Sequence, residues 1–156
     1  MALLKDKDRA QLQQEFAQLT DPVKLVFFTQ ESDCDYCPIT QQILEELVDL
    51  SDKLQLQIYN FATDQDAVAK SKIARVPAIA VVRLETPKLL VTGKEQPRER
   101  DYNIRYYGIP SGFEFAALVG DIIDVSKGDS GLSAGTKTAL AKLTAPLHLQ
   151  VFSTPT

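Results

Sequence analysis

Two residues stand out for the chemistry they can do together. Cys34 and Cys37 are the only cysteines among the 156 residues. They sit in Cys34-Asp35-Tyr36-Cys37. Two intervening residues let both thiols share the first turn of a helix and close a small, reversible disulfide. The chemistry is then thiol–disulfide exchange: one thiolate attacks, and a second thiol releases the mixed disulfide. Helix N-termini favour an anion through unpaired backbone N–H groups and the helix dipole. The first cysteine, Cys34, is therefore read as the nucleophile and Cys37 as the resolving thiol. Pro38 directly after them suits early helix geometry, where a missing N–H donor is no loss.

The elements that must hold this pair follow from its flanks. Lys24-Leu25-Val26-Phe27-Phe28-Thr29 predicts a buried strand over 24–29, and 30–33 a loop into the cysteines. Residues 38–50 carry Ile43, Leu44, Leu47, Val48 and Leu50 at helical spacing. Ahead of the strand, Leu12, Phe16 and Leu19 mark a helix over 6–19, ended at Asp21-Pro22. Beyond the second helix, alternation in Leu54-Gln55-Leu56-Gln57-Ile58-Tyr59 predicts a half-buried strand. A helix is expected over 62–74, capped by Thr63 or Asp64. A strand over 78–84 follows Arg75-Val76-Pro77. A polar loop over 92–98, a return strand over 102–107, a turn at 108–112 and an apolar helix over 113–125 complete the order. Ser111 and Glu114 have the spacing of a capping box. The two crossovers are expected to leave their strands parallel, with the hairpin adding an antiparallel edge. The fold class is α/β: a four-stranded mixed sheet with helices on both faces.

Residues 1–126 suffice for that domain, residues 127–145 read as a polar linker with a short helix over 136–143, and residues 146–156 repeat an earlier pattern. Pro146-Leu147-His148-Leu149-Gln150-Val151-Phe152-Ser153 echoes Pro22-Val23-Lys24-Leu25-Val26-Phe27-Phe28-Thr29. The segment is expected to be the first strand of a second, truncated unit, with its apolar residues supporting self-association.

Composition narrows the function. The chain is 44% hydrophobic and 24% charged, ordinary for a globular protein. Its formal net charge of −4 and lack of a Lys/Arg cluster argue against a nucleic-acid partner. No apolar run is long enough for a membrane span, and no signal region follows the charged N-terminus. The chain is read as cytoplasmic, where a CxxC is catalytic or metal-binding rather than structural. Structural zinc wants four ligands, and beyond the cysteines the chain has a single histidine, His148. No metal and no cofactor beyond the Cys34–Cys37 pair is expected.

The motifs together resemble a known family. Asp21-Pro22-Val23-Lys24-Leu25, the CxxC with Tyr36 at its third place, Arg75-Val76-Pro77-Ala78, and Arg105-Tyr106-Tyr107-Gly108-Ile109-Pro110-Ser111-Gly112-Phe113-Glu114-Phe115 carry the likeness. They are similar to the N-terminal unit of the protein disulfide oxidoreductases of thermophilic archaea and bacteria, which fuse two glutaredoxin/thioredoxin-like units. A related unit fronts the flavin-dependent peroxiredoxin reductases. The tail 151–156 resembles the strand and loop that lead into that family's second CxxC, which is absent here. The resemblance implies a thioredoxin-like fold and a thiol–disulfide oxidoreductase acting on protein disulfides, with a thioredoxin-reductase-like electron donor. It also implies a cis Val76–Pro77 bond beside the disulfide, with the Val76 backbone and Tyr36 meeting substrate.

Other readings accompany these residues. Arg75 either favours the thiolate, pairs with Asp35, or is a solvated arginine. Asp33 and Asp35 oppose thiolate formation. Many thioredoxins bury a carboxylate six places before the first cysteine; here that place is Phe28. Proton transfer is therefore expected through water or another group. The enzyme runner-up is a glutaredoxin-like, glutathione-dependent reductase using the turn at Gly108 and Gly112. The non-enzyme alternative is a docking module for a redox partner.

Overall fold

In the computed structural model, residues 2–85 and 98–152 are described. The chain order is α1 (Asp6–Phe16), β1 (Val23–Thr29), α2 (Cys37–Val48), β2 (Leu54–Asn60), α3 (Gln65–Ser71), β3 (Ala78–Glu85), β4 (Arg98–Tyr107), α4 (Phe113–Lys127) and α5 (Ala134–Leu140). The loop expected over 92–98 lies outside the described residues except for Arg98, which begins β4.

The sheet order is β2-β1-β3-β4. β1 is central, and its Val-Lys-Leu-Val-Phe-Phe run is buried apart from Lys24. A continuous β-branched and aromatic run is what a strand covered on both faces requires. β1 and β2 are parallel, from Val23↔Leu54 to Thr29↔Asn60. β2 is an edge, and its alternation buries only Leu54 fully, with Ile58 37% exposed.

The second crossover does not give a parallel strand. β3 runs antiparallel to β1, with Phe28 opposite Ala78. The reason is length: α3 has seven residues, about 10 Å of helix. The helix by itself does not span a seven-residue strand of about 23 Å, and the residues after it lead into the cis Val76–Pro77 turn rather than back along the sheet. The chain therefore enters β3 at the end of the sheet where it left β2. β4 returns antiparallel to β3, with an irregularity between Val81 and Val82 where Asn103 adopts φ 61°.

Helices cover both faces. α1, α2 and α4 share one core, in which Phe16, Leu44, Leu47, Leu118 and Ile122 pack on Leu25, Phe27, Ile79 and Val81. α3 covers the other face, where Val68 and Ile73 pack on Val26, Phe28, Ala80 and Val82. Full burial of each phenylalanine contributes roughly 1.5–3 kcal/mol. The end of α4 is latched to the turn before β1. Ser126 Oγ accepts from Thr20 N at 2.8 Å and donates to the Asp21 carbonyl at 2.6 Å, while Thr20 Oγ1 donates to the Ser126 carbonyl. Asp21 in turn accepts two bonds from the Arg83 guanidinium.

Local signals were partly overridden. Gly112, at φ 56°, is the N-cap of α4, and Ser111 offers only its backbone carbonyl, to Glu114 N. Asp64 is the N-cap of α3, but its carboxylate turns back to accept from Asn60 N at 2.6 Å. The short C-terminal helix starts earlier than expected because Ser133 Oγ accepts from Thr136 N. Residues 145–152 belong to no strand, and Leu147, Leu149 and Val151 are exposed. A strand needs a neighbour to receive its ladder hydrogen bonds, and this segment pairs with none among the described residues.

Candidate active site

The cysteines stand where β1 hands over to α2. After Thr29 the chain turns through Asp33, which takes the left-handed conformation at φ 56°, and Gln30 Nε2 donates to the Asp33 carbonyl. Asp tolerates that conformation better than most side chains. Cys34 follows just ahead of the helix, Tyr36 is the N-cap and Cys37 the first helical residue. Cys37 N donates to the Cys34 carbonyl at 3.2 Å. The two sulfurs are bonded, with the Cα atoms 5.4 Å apart. Burial separates them: Cys37 is 1% exposed and belongs to the core, while Cys34 is only part-buried.

Thr40 is a site residue that sequence reasoning missed. It is one of two fully buried polar residues among those described. Its N–H and its Oγ1 both donate to the Tyr36 carbonyl, at 3.1 and 2.8 Å. The peptide between the cysteines is thereby held twice from one turn inside the helix. The signal was a lone hydroxyl on the stripe Cys37, Thr40, Leu44, Leu47 that α2 buries.

Val76 and Pro77 lie at the mouth of β3, and their peptide bond is cis. Ala78, the next residue, pairs with Phe28 of β1 and with Tyr107 of β4. Pro77 therefore arrives at the end of β1 that feeds the cysteine loop. It is buried, and its carbonyl accepts from Gly108 N at 3.0 Å. Val76 is half-buried beside the Val26–Phe28 cluster.

The remaining expected residues separate. Tyr36 is 60% exposed. Arg75 does not pair with Asp35; its guanidinium lies 4.9 Å from the Tyr107 ring centroid, a cation–π contact. Phe28 is fully buried and stacks on Tyr59 at 5.7 Å. Phe113, the first residue of α4, is 93% exposed, an aromatic left in solvent directly after Gly112.

Ionisable groups with displaced pKa values lie mostly on β3, β4 and α3, and none lies on the cysteine loop. Burial, then the hydrogen bond to Asp121 at 2.6 Å, raises the Tyr106 phenol far above its usual range. Hydrogen bonding to Lys24, and then to Lys70, holds Glu99 below the usual carboxylate range. An open cleft of about 630 Å³ beside this network is lined by Lys24, Tyr59, Asp64, Lys70, Glu99 and Asp101, and by neither cysteine. No group of three or more metal-ligating side chains occurs among the described residues. Among them, no helix is long and apolar enough to cross a membrane.

Strand order β2-β1-β3-β4, helices on both faces, a CxxC disulfide at the start of α2 and an X-Pro turn into β3 define a thioredoxin-like fold. The structure is similar to a protein disulfide oxidoreductase from Aeropyrum pernix, with TM-score 0.71 and 27% identity over 89% of this chain and 55% of that one. It is also similar to the alkylhydroperoxide reductase AhpF of Enterococcus faecalis, with TM-score 0.73 and 25% identity over 90% of this chain and 61% of that one. A structure of the N-terminal domain of AhpF matches with TM-score 0.71 and 24% identity, over 86% of this chain and 58% of that one. The likeness expected from the motifs is thus present in three dimensions. The chain spans between 55% and 61% of the length of these three structures. No protein-family model and no curated protein sequence matches the chain.

Proposed function

We propose that this chain is a thiol–disulfide oxidoreductase acting on polypeptide disulfides, with Cys34 as nucleophile and Cys37 as resolving thiol. The observation that carries the reading is the unequal burial of two bonded cysteines at a helix start. Only a part-exposed sulfur meets another chain's disulfide, and only a near neighbour resolves the product. The likeness to the Aeropyrum pernix protein disulfide oxidoreductase supports the same chemistry.

In the dithiol form, the Cys34 thiolate attacks one sulfur of a substrate disulfide. The substrate S–S bond breaks, a mixed disulfide forms, and the displaced substrate thiolate takes a proton. The Cys37 thiolate then attacks Cys34 Sγ, closing the Cys34–Cys37 bond and expelling the second substrate thiolate, which takes another proton. Two electrons and two protons pass from the dithiol to the substrate. A dithiol donor, of the thioredoxin-reductase-like class in the cell, restores the reduced pair. No cofactor beyond the pair itself enters the cycle. The Val76 backbone and Tyr36 border the path of an incoming extended chain, with Pro77 beneath it. The sequence grounds given above favour a cytoplasmic setting. We also infer that residues 146–156 carry the sequence pattern of the first strand of a second thioredoxin-like unit, and that the exposed apolar side chains of Leu147, Leu149 and Val151 support self-association.

The test is insulin reduction driven by dithiothreitol. The wild-type chain accelerates it and Cys34→Ser abolishes the acceleration; full activity in Cys34→Ser sinks the assignment. Glutathione is the second arm. If it restores the dithiol as well as dithiothreitol does, the activity is the glutaredoxin-like one. If neither donor supports turnover, the disulfide is structural and the chain a docking module.

A further inference from the structure

The surface around Cys34 has a charge and an apolar character that the exchange chemistry does not use. Between Lys24 and Lys53 the chain contains no lysine, arginine or histidine, but seven carboxylates. Three of them, Glu31, Asp33 and Asp35, surround Cys34 in sequence and are all exposed. Among the described residues none of the three is in an ion pair. The cation on the Val76 side, Arg75, faces the Tyr107 ring. Glu114, on the first turn of α4, is exposed and adds a further negative charge.

Large apolar side chains stand on the same end of the molecule. α2 and α4 pack on β1 from one face and share one core. α2 starts beyond the C-terminal end of β1. α4 starts after Tyr107, which pairs with Ala78, itself opposite Phe28 of β1. Both helices therefore start at the disulfide end of the sheet, on one face. Tyr36 and Ile39 on one are 60% and 39% exposed, and Phe113 on the other is 93% exposed.

We propose that this surface selects a cationic partner: a polypeptide whose disulfide is flanked by lysine or arginine and by an apolar side chain that packs on Phe113 and Tyr36. The proposal rests on the disulfide-exchange reading and adds the class of substrate. Three carboxylates close to the reacting sulfur raise the local concentration of a basic chain and repel an acidic one, over a screening length of about 8 Å at physiological salt. Complementary charge of this kind acts on encounter rate and on the choice of partner. Exposed aromatic side chains supply the apolar anchor.

The experiment uses two synthetic peptides of one sequence, each closed by a disulfide and bearing one central phenylalanine. Lysines flank the cysteines in one and glutamates in the other. The chain is first reduced with dithiothreitol and desalted, and kcat/KM is measured for each peptide. At about 10 mM NaCl the basic peptide is expected to react roughly ten-fold faster or more, and the gap is expected to close toward parity at about 500 mM. The variant Glu31→Gln/Asp33→Asn/Asp35→Asn removes the charges at near-constant shape, and asparagine tolerates the left-handed backbone of position 33. Its effect on the Cys34 thiolate is common to both peptides and cancels in their ratio, which is expected to fall to about two-fold or less. Phe113→Ala is expected to lower kcat/KM for both peptides several-fold. Equal rates for the two peptides at low salt overturn the proposal, as does a preference unchanged in the triple variant. If Phe113→Ala changes the mass in solution but neither rate, the surface joins two copies of this chain and the proposal falls. If the wild-type chain reduces neither peptide nor insulin, the exchange reading fails and takes the proposal with it.

Discussion

Cys34 and Cys37 are bonded to one another, yet one keeps part of its surface in solvent and the other is 1% exposed. The asymmetry follows from the helix start. Cys37 is the first residue of the stripe that α2 turns into the core, and Cys34 lies ahead of the helix on the loop from β1. In the proposed reaction this difference in burial gives attack to Cys34 and resolution to Cys37. After reduction and a short pulse of iodoacetamide near pH 7, mass mapping is expected to find Cys34 alkylated and Cys37 largely protected. Cys37→Ser is expected to accumulate mixed disulfides with insulin chains, visible on a non-reducing gel. Equal labelling of the two thiols contradicts the assignment.

Gly128 closes α4 at φ 67°, and its N–H donates to the Asp124 carbonyl at 2.8 Å. The Arg83 guanidinium occupies the space a Cβ at Gly128 would need. Gly128→Ala is therefore expected to strain the left-handed cap and to push Arg83 from Asp21. The left-handed strain alone costs about 1–2 kcal/mol. Urea unfolding is expected to show the loss as a lower midpoint with unchanged slope. A midpoint equal to wild type means that Arg83 moves freely and the contact contributes nothing.

Two carboxylates on β4 make the fold acid-sensitive. Lys24 and Lys70 hold Glu99 below its ordinary value, and Arg105 does the same for Asp101. Since the folded values lie below the unfolded ones, these pairs contribute fully above the ordinary carboxylate range of about 3.9–4.3. The contribution is lost as pH falls through the folded values. Lys70, raised chiefly by its hydrogen bond to Glu99, works in the opposite sense: its contribution is lost as pH rises through its folded value. Urea midpoints are expected to drop between pH 7 and pH 3, and Glu99→Gln is expected to flatten that drop. The effect is modest because the Glu99 and Lys70 side chains are 38% and 77% exposed.

The C-terminal segment contributes little to the described fold. Leu147, Leu149, Val151 and Phe152 are 67–91% exposed. Deleting residues from Pro146 onward is expected to leave the thermal midpoint and insulin reduction nearly unchanged while reducing self-association in sedimentation. A large loss of folding makes the segment an integral strand of this domain and removes the truncated-repeat reading.

The sequence by itself determined what local pattern can encode. A sole cysteine pair at two-residue spacing marked the disulfide, an unbroken apolar run marked β1, and the three-residue spacing of Leu44 and Leu47 marked the face that α2 buries. The pairing of Cys34 with Cys37 and the place of Val76–Pro77 at the mouth of β3 were legible because both motifs are contiguous. Only the tertiary structure decided the direction of β3, since strand polarity depends on where a short helix delivers the chain. It also decided that Arg75 meets Tyr107 rather than Asp35, that Asp64 turns back to Asn60 instead of capping forward, and that Thr40 holds the Tyr36 carbonyl. Each is a choice among hydrogen-bonding or stacking partners of similar local energy, settled by which of them packing brings within reach.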